Sequence, residues 1–257
     1  QILDNMMLVF CTAIRYSFRR LLEGVEINSL EKDVANKYNL NIRQSKDAVE
    51  NARQTIQSQK ELIKMNYQNY DKKVKAIEKQ LKSDKLSDKK QNALLSKLDK
   101  RKRKLQYWQH FIDTNTIPPV IFATKQMFLR RCKDLISNEE WKSCRNNRIY
   151  SRGDKTKNGN PNLRIVIRNN MTFLEISTLE KTQTNRAIKM QVPIYLPQKV
   201  SKKTGKVNGI DYRELFLNYL QTGEAYQVEI IKRNGKYYAH ITFELPKTEE
   251  IYTCHKE

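Results

Sequence analysis

The stretch Trp141–Arg168, WKSCRNNRIYSRGDKTKNGNPNLRIVIR, separates two kinds of sequence. Ahead of it, apolar residues recur mostly at helical spacing; behind it, they alternate mostly at strand spacing. The stretch itself opens on a helix end, passes through a basic loop rich in Gly and Asn, and closes in a strand. A chain ordered this way predicts an α+β fold, helical first and antiparallel β second.

In residues 2–23, Ile2, Met6, Val9, Phe10, Ala13, Ile14, Phe18 and Leu21 make one helical face. Arg15, Tyr16, Arg19 and Arg20 stand elsewhere on the wheel, and Gly24 stops the helix. A second short helix is expected with Ser29 as N-cap and a break at Lys37-Tyr38-Asn39. A third starts near Asn41 and carries Ala48, Val49, Ala52 and Ile56. Three such helices outline a helix-turn-helix-like bundle, an outline that small bundles share without binding DNA. From about Lys60 the pattern changes: Tyr67, Tyr70, Val74, Ile77 and Leu81 step by three and four, a heptad seam. Ser83-Asp84 and Ser87-Asp88 offer a break and a new cap before Leu94, Leu95, Leu98, Leu105 and Trp108. The reading is an antiparallel helical hairpin coated by lysines. Its run Lys100–Lys104 suits phosphate contact and a solvated face equally.

Thr116-Ile117-Pro118-Pro119 cannot continue a helix, which divides the chain into 1–117 and 118–257. Val120-Ile121-Phe122 reads as a short strand, and a helix follows from Met127 to about Leu135. Ser137 with Glu140 is a capping box for another. Strands 163–168 and 172–176 flank Asn169-Asn170, and 186–195 reads as a strand whose Pro193 implies an edge or a bulge. After a basic loop, Lys199–Gly209, come a helix over 212–220 and two strands, 227–232 and 236–245, across Asn234-Gly235. These strands predict an antiparallel sheet curled into a small barrel.

The net charge is +21. An excess of this size points to a polyanionic partner, nucleic acid first and an acidic membrane second. The apolar run Met6–Phe10 is far too short to span a bilayer, and no signal peptide is expected. Cys11, Cys132, Cys144 and Cys254 form no CxxC pair, so reduced thiols are expected rather than a zinc knuckle or a disulfide framework. A cytoplasmic protein is the expectation. His110, His240 and His255 have no Cys or carboxylate partner at ligand spacing, and neither a P-loop nor a nucleophile elbow is present. Gly209-Ile210-Asp211 has the form of a strand end bearing a nuclease carboxylate. It follows a Lys/Gly loop and precedes a helix, so Asp211 reads as an N-cap.

What remains is recognition chemistry. Arg145, Arg148, Arg152, Lys155, Lys157, Asn158, Asn160, Arg164 and Arg168 lie in one helix–loop–strand unit. The cations can neutralise phosphates, the amides of Gly153 and Gly159 can approach them closely, and Tyr150 can stack on a base. Lys232, Arg233, Lys236, Tyr237 and Tyr238 surround a second turn. In the third helix, Arg43, Lys46, Asn51, Gln54, Thr55, Ser58 and Gln59 present polar side chains. Asn51, Gln54 and Ser58 share a face that suits base edges in a groove as well as it suits solvent.

These residues resemble a family. The segments Ile2–Leu22, Tyr38-Asn39-Leu40-Asn41 through Gln59, Ile121-Phe122-Ala123-Thr124-Lys125 with Phe128, Arg145-Asn146-Asn147-Arg148, Gly153-Asp154-Lys155, Gly159-Asn160-Pro161-Asn162-Leu163 and Lys232–Tyr238 to Leu245-Pro246 are similar in order and spacing to the N-terminal half of TnpB (OrfB) proteins of bacterial insertion sequences, relatives of type V CRISPR effectors. The resemblance covers nearly the whole chain. It implies a helical recognition lobe inserted into a wedge β-barrel of OB-like form, whose first strand would precede Gln1. It implies a guide RNA and a target double-stranded DNA with a short adjacent motif as partners. Arg145–Arg168 and Lys232–Tyr237 would then face the guide RNA. Tyr16, Arg43, Lys46, Asn51, Gln54, Thr55, Ser58, Gln59, Thr124 and Lys125 would lie on the DNA-motif side. The family's RuvC nuclease, with its Mg2+, would begin after Leu245-Pro246, so this chain is expected to carry no catalytic residue or metal of its own. A nuclease-deficient, RNA-guided repressor and a plain helix-turn-helix protein are the alternatives.

Overall fold

A computed structural model describes residues 1–82, 87–169, 171–184, 186–198, 200–201, 203–205 and 210–244. The expected break at Ser83-Asp84, the position of Asn170, most of the Lys199–Gly209 loop, Leu245-Pro246, Cys254 and His255 lie outside the described residues.

The order is helical and then β, an α+β fold. Helix α1 (Ile2–Leu22) buries Met6, Met7, Phe10, Cys11, Ala13, Ile14 and Ser17, one stripe at three- and four-residue steps. Helix α2 (Ile27–Tyr38) begins two residues before the expected cap. Glu26 is its N-cap, and its carboxylate accepts from the N–H groups of Asn28 and Ser29. A carboxylate there meets both free amides and the positive end of the helix dipole. Those amide bonds hold its pKa below the ordinary value. Asn39 closes α2 in the left-handed region, with φ of 51°.

Helix α3 runs unbroken over Ile42–Leu81, opened by a capping box between Asn41 and Gln44. At 1.5 Å per residue its 40 residues extend about 60 Å. The change of pattern near Lys60 therefore marks a change of neighbour rather than a break, since the segment has neither Gly nor Pro. Its first half buries Ala48, Val49 and Ala52 against α1 and α2. Its second half packs on α4 (Asp88–Asp113). The ion pair Glu78–Lys102 and the bond from Lys60 to Asn115 show the two running antiparallel. None of α4's side chains is fully buried. The hairpin is held by Ile63, Val74 and Ile77, buried on α3, with half-covered residues of α4 such as Trp108 and Phe111.

Residues 120–122 are not a strand. Phe122 instead packs edge-on against Phe18 of α1, ring centres 5.1 Å apart, while Ile121 stays exposed. Helix α5 (Lys125–Cys132) is capped by the Thr124 hydroxyl and starts two residues before the expected Met127. Helix α6 (Asn138–Arg145) carries the Ser137–Glu140 capping box.

The strands form two antiparallel sheets of three. One is β1 (Arg148–Ser151), β5 (Gln227–Arg233) and β6 (Lys236–Thr242), in the order β1-β5-β6. The other is β2 (Leu163–Arg168), β3 (Met171–Lys181) and β4 (Ala187–Pro193), in that order. Asn234 and Gly235, with φ of 49° and 74°, make the tight turn between β5 and β6 that their sequence predicts. Pro193 sits at the end of an edge strand. Asp211 caps helix α7 (Tyr212–Gln221), accepting from the amides of Arg213 and Glu214.

The expected closed barrel is corrected: among the described residues the two sheets do not join into one. The link from β1 to β2 folds back through a bridge between Asp154 and Gly159, so β1 pairs with β5 and β2 with β3. The sheets still share one core with the helices. Ile149, Leu163, Ile165, Leu174, Ile176, Val228 and Ile230 meet Met6, Phe10 and Ile14 of α1 within it.

Candidate nucleic-acid interface

Strand β1 lies inside what the sequence presents as a loop, and it brings that segment against α3. Positions 43, 47 and 51, four residues apart, share a stripe of the helix. Each takes a partner from the β1 segment, in reverse order. Arg43 pairs with Asp154 at 2.6 Å and donates to the Gly153 carbonyl at 2.9 Å. Asp47, 1% exposed, accepts from Arg152 Nε at 2.8 Å and from the Arg152 amide at 3.3 Å. Asn51 Oδ1 accepts from Arg148 at 3.5 Å. Further bonds fasten the start of α3 to the other sheet: Asn41 to Asn162 at 3.0 Å and Gln44 to the Ser177 carbonyl at 3.0 Å. Burial pushes the Asp47 carboxyl up from its ordinary pKa, and the Arg152 guanidinium draws it back.

The loop residues picked out from sequence divide into three groups. Lys157, Asn158, Arg168, Arg233 and Lys236 are exposed. A second group is tied by its own partners. Lys155 pairs with Glu224 and Lys232 with Asp4, each at 2.6 Å, and Arg148 approaches Glu229 at 3.4 Å. Arg164 donates to the carbonyls of Lys157 and Asn158, closing the short 3-10 turn Lys155–Lys157. The hydroxyls of Tyr150 and Tyr237 donate to Gln227 and Asp4.

Asn160 stands apart, with 0% exposure. Its amide donates to the carbonyls of Ser151 and Tyr226, and its oxygen accepts from the amides of Asn162 and Leu163. It is the internal fastener of the loop, placed out of reach of any ligand. The two glycines expected to offer open amides are also packing positions. A Cβ on Gly153 would lie 2.5 Å from the Tyr226 backbone nitrogen, and one on Gly159 2.7 Å from the Tyr226 ring.

On the helical side, Lys46, Gln54, Ser58 and Lys125 are exposed, while Gln59 is half-buried. Gln54 donates to Glu50 and Thr55 to the Asn51 carbonyl. Tyr16 is taken up by the α1–α2 contact: its hydroxyl donates to Asp33, and Lys37 Nζ stands 4.1 Å from its ring centre.

A cleft of about 360 Å³ opens between α1, α3, residues 121–124 and the α6–β1 junction. Thr55 and Thr124, expected on one side, line it together with Arg145 and Arg148, expected on the other. Arg15 and Asn147 line it too and were not singled out from sequence. Arg15 donates to the Arg145 carbonyl at 2.9 Å and to Asn146 at 2.8 Å, bonding α1 to the end of α6. Its signal in the sequence was an arginine four residues after Cys11, at the margin of a buried stripe. A second groove, about 650 Å³, separates the sheets and is lined mainly by apolar residues and tyrosines.

Comparison with protein families matches residues 1–256 to the SSO2105 N-terminal domain. The chain belongs to that family. Curated proteins and solved structures give no match. Among the described residues no helix is long and apolar enough to cross a membrane, and no group of three or more His, Cys, Asp and Glu could hold a metal ion. Cys11, Cys132 and Cys144 are free.

Proposed function

We propose that this chain is the guide-RNA- and DNA-motif-binding part of a TnpB-like, RNA-guided DNA endonuclease, with cleavage and its Mg2+ residing in a RuvC domain outside the chain. The carrying observation is the seam between α3 and β1. It sets the polar helix and the basic segment Arg145–Arg168 side by side, on one body with a net charge of +21. A surface of that kind suits two nucleic-acid partners at once: phosphates on Lys157, Arg168 and Lys236, and base edges on Gln54 and Ser58. The wedge of this reading corresponds to the two sheets with α7, and the recognition lobe to α1–α4. A plain helix-turn-helix reading fits less well. The N-terminal turns of α3, which would enter a groove, are occupied by Asp154, Arg152 and the Ser177 carbonyl.

The test is to purify the protein from its native host and sequence the RNA that travels with it. A discrete RNA species is expected. Recovery of none, at a salt concentration where the protein stays folded, sinks the reading.

A further inference from the structure

We propose that the cleft between α1, α3 and the α6–β1 junction is an anion site that takes a phosphate group of a nucleic-acid backbone. Three arginines, Arg15, Arg145 and Arg148, line it, and no Asp or Glu does. Arg15 spends its hydrogen bonds on Thr12, Asn146 and the Arg145 carbonyl, which satisfy its geometry but leave its charge unpaired. The Arg145 guanidinium lies over the Trp141 ring, 5.4 Å from its centre, a position that orients it without neutralising it. As counter-charge Arg148 has only the loose approach of Glu229 at 3.4 Å. Among the described residues Arg15 and Arg145 have no ion pair at all, and like charges gathered without counter-charge raise the free energy of the empty protein. Burial first, and Arg145 second, push the Arg15 pKa down from its ordinary value, as expected where positive charge is held against its own repulsion.

The walls favour an anion further. Ile14, Ile121, Phe122 and Ala123 line the same space. Apolar walls concentrate the field of the arginines inside it. Thr124 and Asn147 add neutral hydrogen-bonding groups. The volume of about 360 Å³ is at the small end of ligand sites and suits a sugar-phosphate unit. That the phosphate belongs to a nucleic acid rests on the function proposed above; that the cleft binds an anion does not.

Pyrophosphate is the probe. It is titrated calorimetrically into the full chain at constant ionic strength set with chloride, and then in competition with a short RNA and with a DNA duplex. Saturable one-site binding is expected, weakened at least tenfold by Arg145→Gln and unchanged by Arg186→Gln, which alters an exposed arginine outside the cleft. Arg15→Gln should weaken it too. Because Arg15 also fastens α6, Arg145→Gln is the deciding variant if Arg15→Gln fails to fold. Competition by the RNA, by the duplex or by both supports the proposal and names the source of the phosphate. Absence of saturable binding, or binding that Arg145→Gln leaves intact, overturns it. So does Arg145-dependent binding that neither bound nucleic acid displaces. Arg145-dependent pyrophosphate binding by a protein that binds no nucleic acid supports the anion site and instead overturns the nucleic-acid reading.

Discussion

Replacing Asn160 by Ala should destabilise the protein severely while leaving any RNA contact of the folded form unchanged. The four hydrogen bonds of this side chain lie at 0% exposure, with distances from 2.9 Å to 3.3 Å. Truncation strands the amides of Asn162 and Leu163 and removes donors from two carbonyls. Each buried group left unmade costs about 1–3 kcal/mol. Counting the two amides alone gives about 2–6 kcal/mol, and the weaker bond to Tyr226 adds little. Against a typical total of about 5–15 kcal/mol, such a loss is large enough to shift the urea midpoint strongly without changing the slope. Lys157→Ala, on the exposed face of the same loop, should change stability by no more than about 0.5 kcal/mol. RNA affinity, measured where both variants are folded, should be unchanged for Asn160→Ala. A loss of stability under about 1 kcal/mol, together with weakened RNA binding, would refute the reasoning and return Asn160 to the surface role its sequence suggests.

Arg152→Ala leaves the Asp47 carboxylate buried without its partner and should cost about 3 kcal/mol, the lower end for a broken buried pair because the Arg152 side chain is 38% exposed. With Asp47 already raised and now raised further, the folded variant binds the extra proton. Its stability should therefore fall as pH rises above about 3.9, read by urea midpoints from pH 4 to 8. Asp4 has the opposite sign: its bond from Lys232 lowers its pKa, so the stability it lends is present above about 3.9 and fades as pH falls through the lower folded value. Asp4→Asn should thus be less stable than the parent at pH 6 and converge with it in acid, and a constant difference would disprove the link. Gly153→Ala forces a Cβ onto the Tyr226 backbone and should cost at least the ~1–3 kcal/mol of overpacking, read by thermal melting. Gln54→Ala with Ser58→Ala should relax the preference for a flanking DNA motif and spare RNA affinity in binding assays. The reverse pattern would exchange the two faces.

What the sequence settled by itself was local. The helix start near Asn41, the capping box at Ser137, the Asp211 cap, the tight turn at Asn234-Gly235 and the switch from helix to strand each depend on residues within a few positions of one another. Such signals survive in any context that lets the segment form. The tertiary structure decided whatever depended on distant partners. Strand β1 exists because Ile231–Val228, some eighty residues on, pairs with it; nothing inside Arg148–Ser151 announces that. The continuity of α3 past Lys60 followed from a change of neighbour that periodicity registers as a change of element. The sheets stayed separate because the β1–β2 link folds on itself. Polar residues were the least legible, because Asn160 and Asn158 look alike in sequence and only packing makes one a buried fastener and leaves the other in solvent. The cleft that gathers Arg15, Arg145 and Arg148 from two helices and a strand is likewise a product of packing, since charges far apart along the chain meet only when the core beneath them closes.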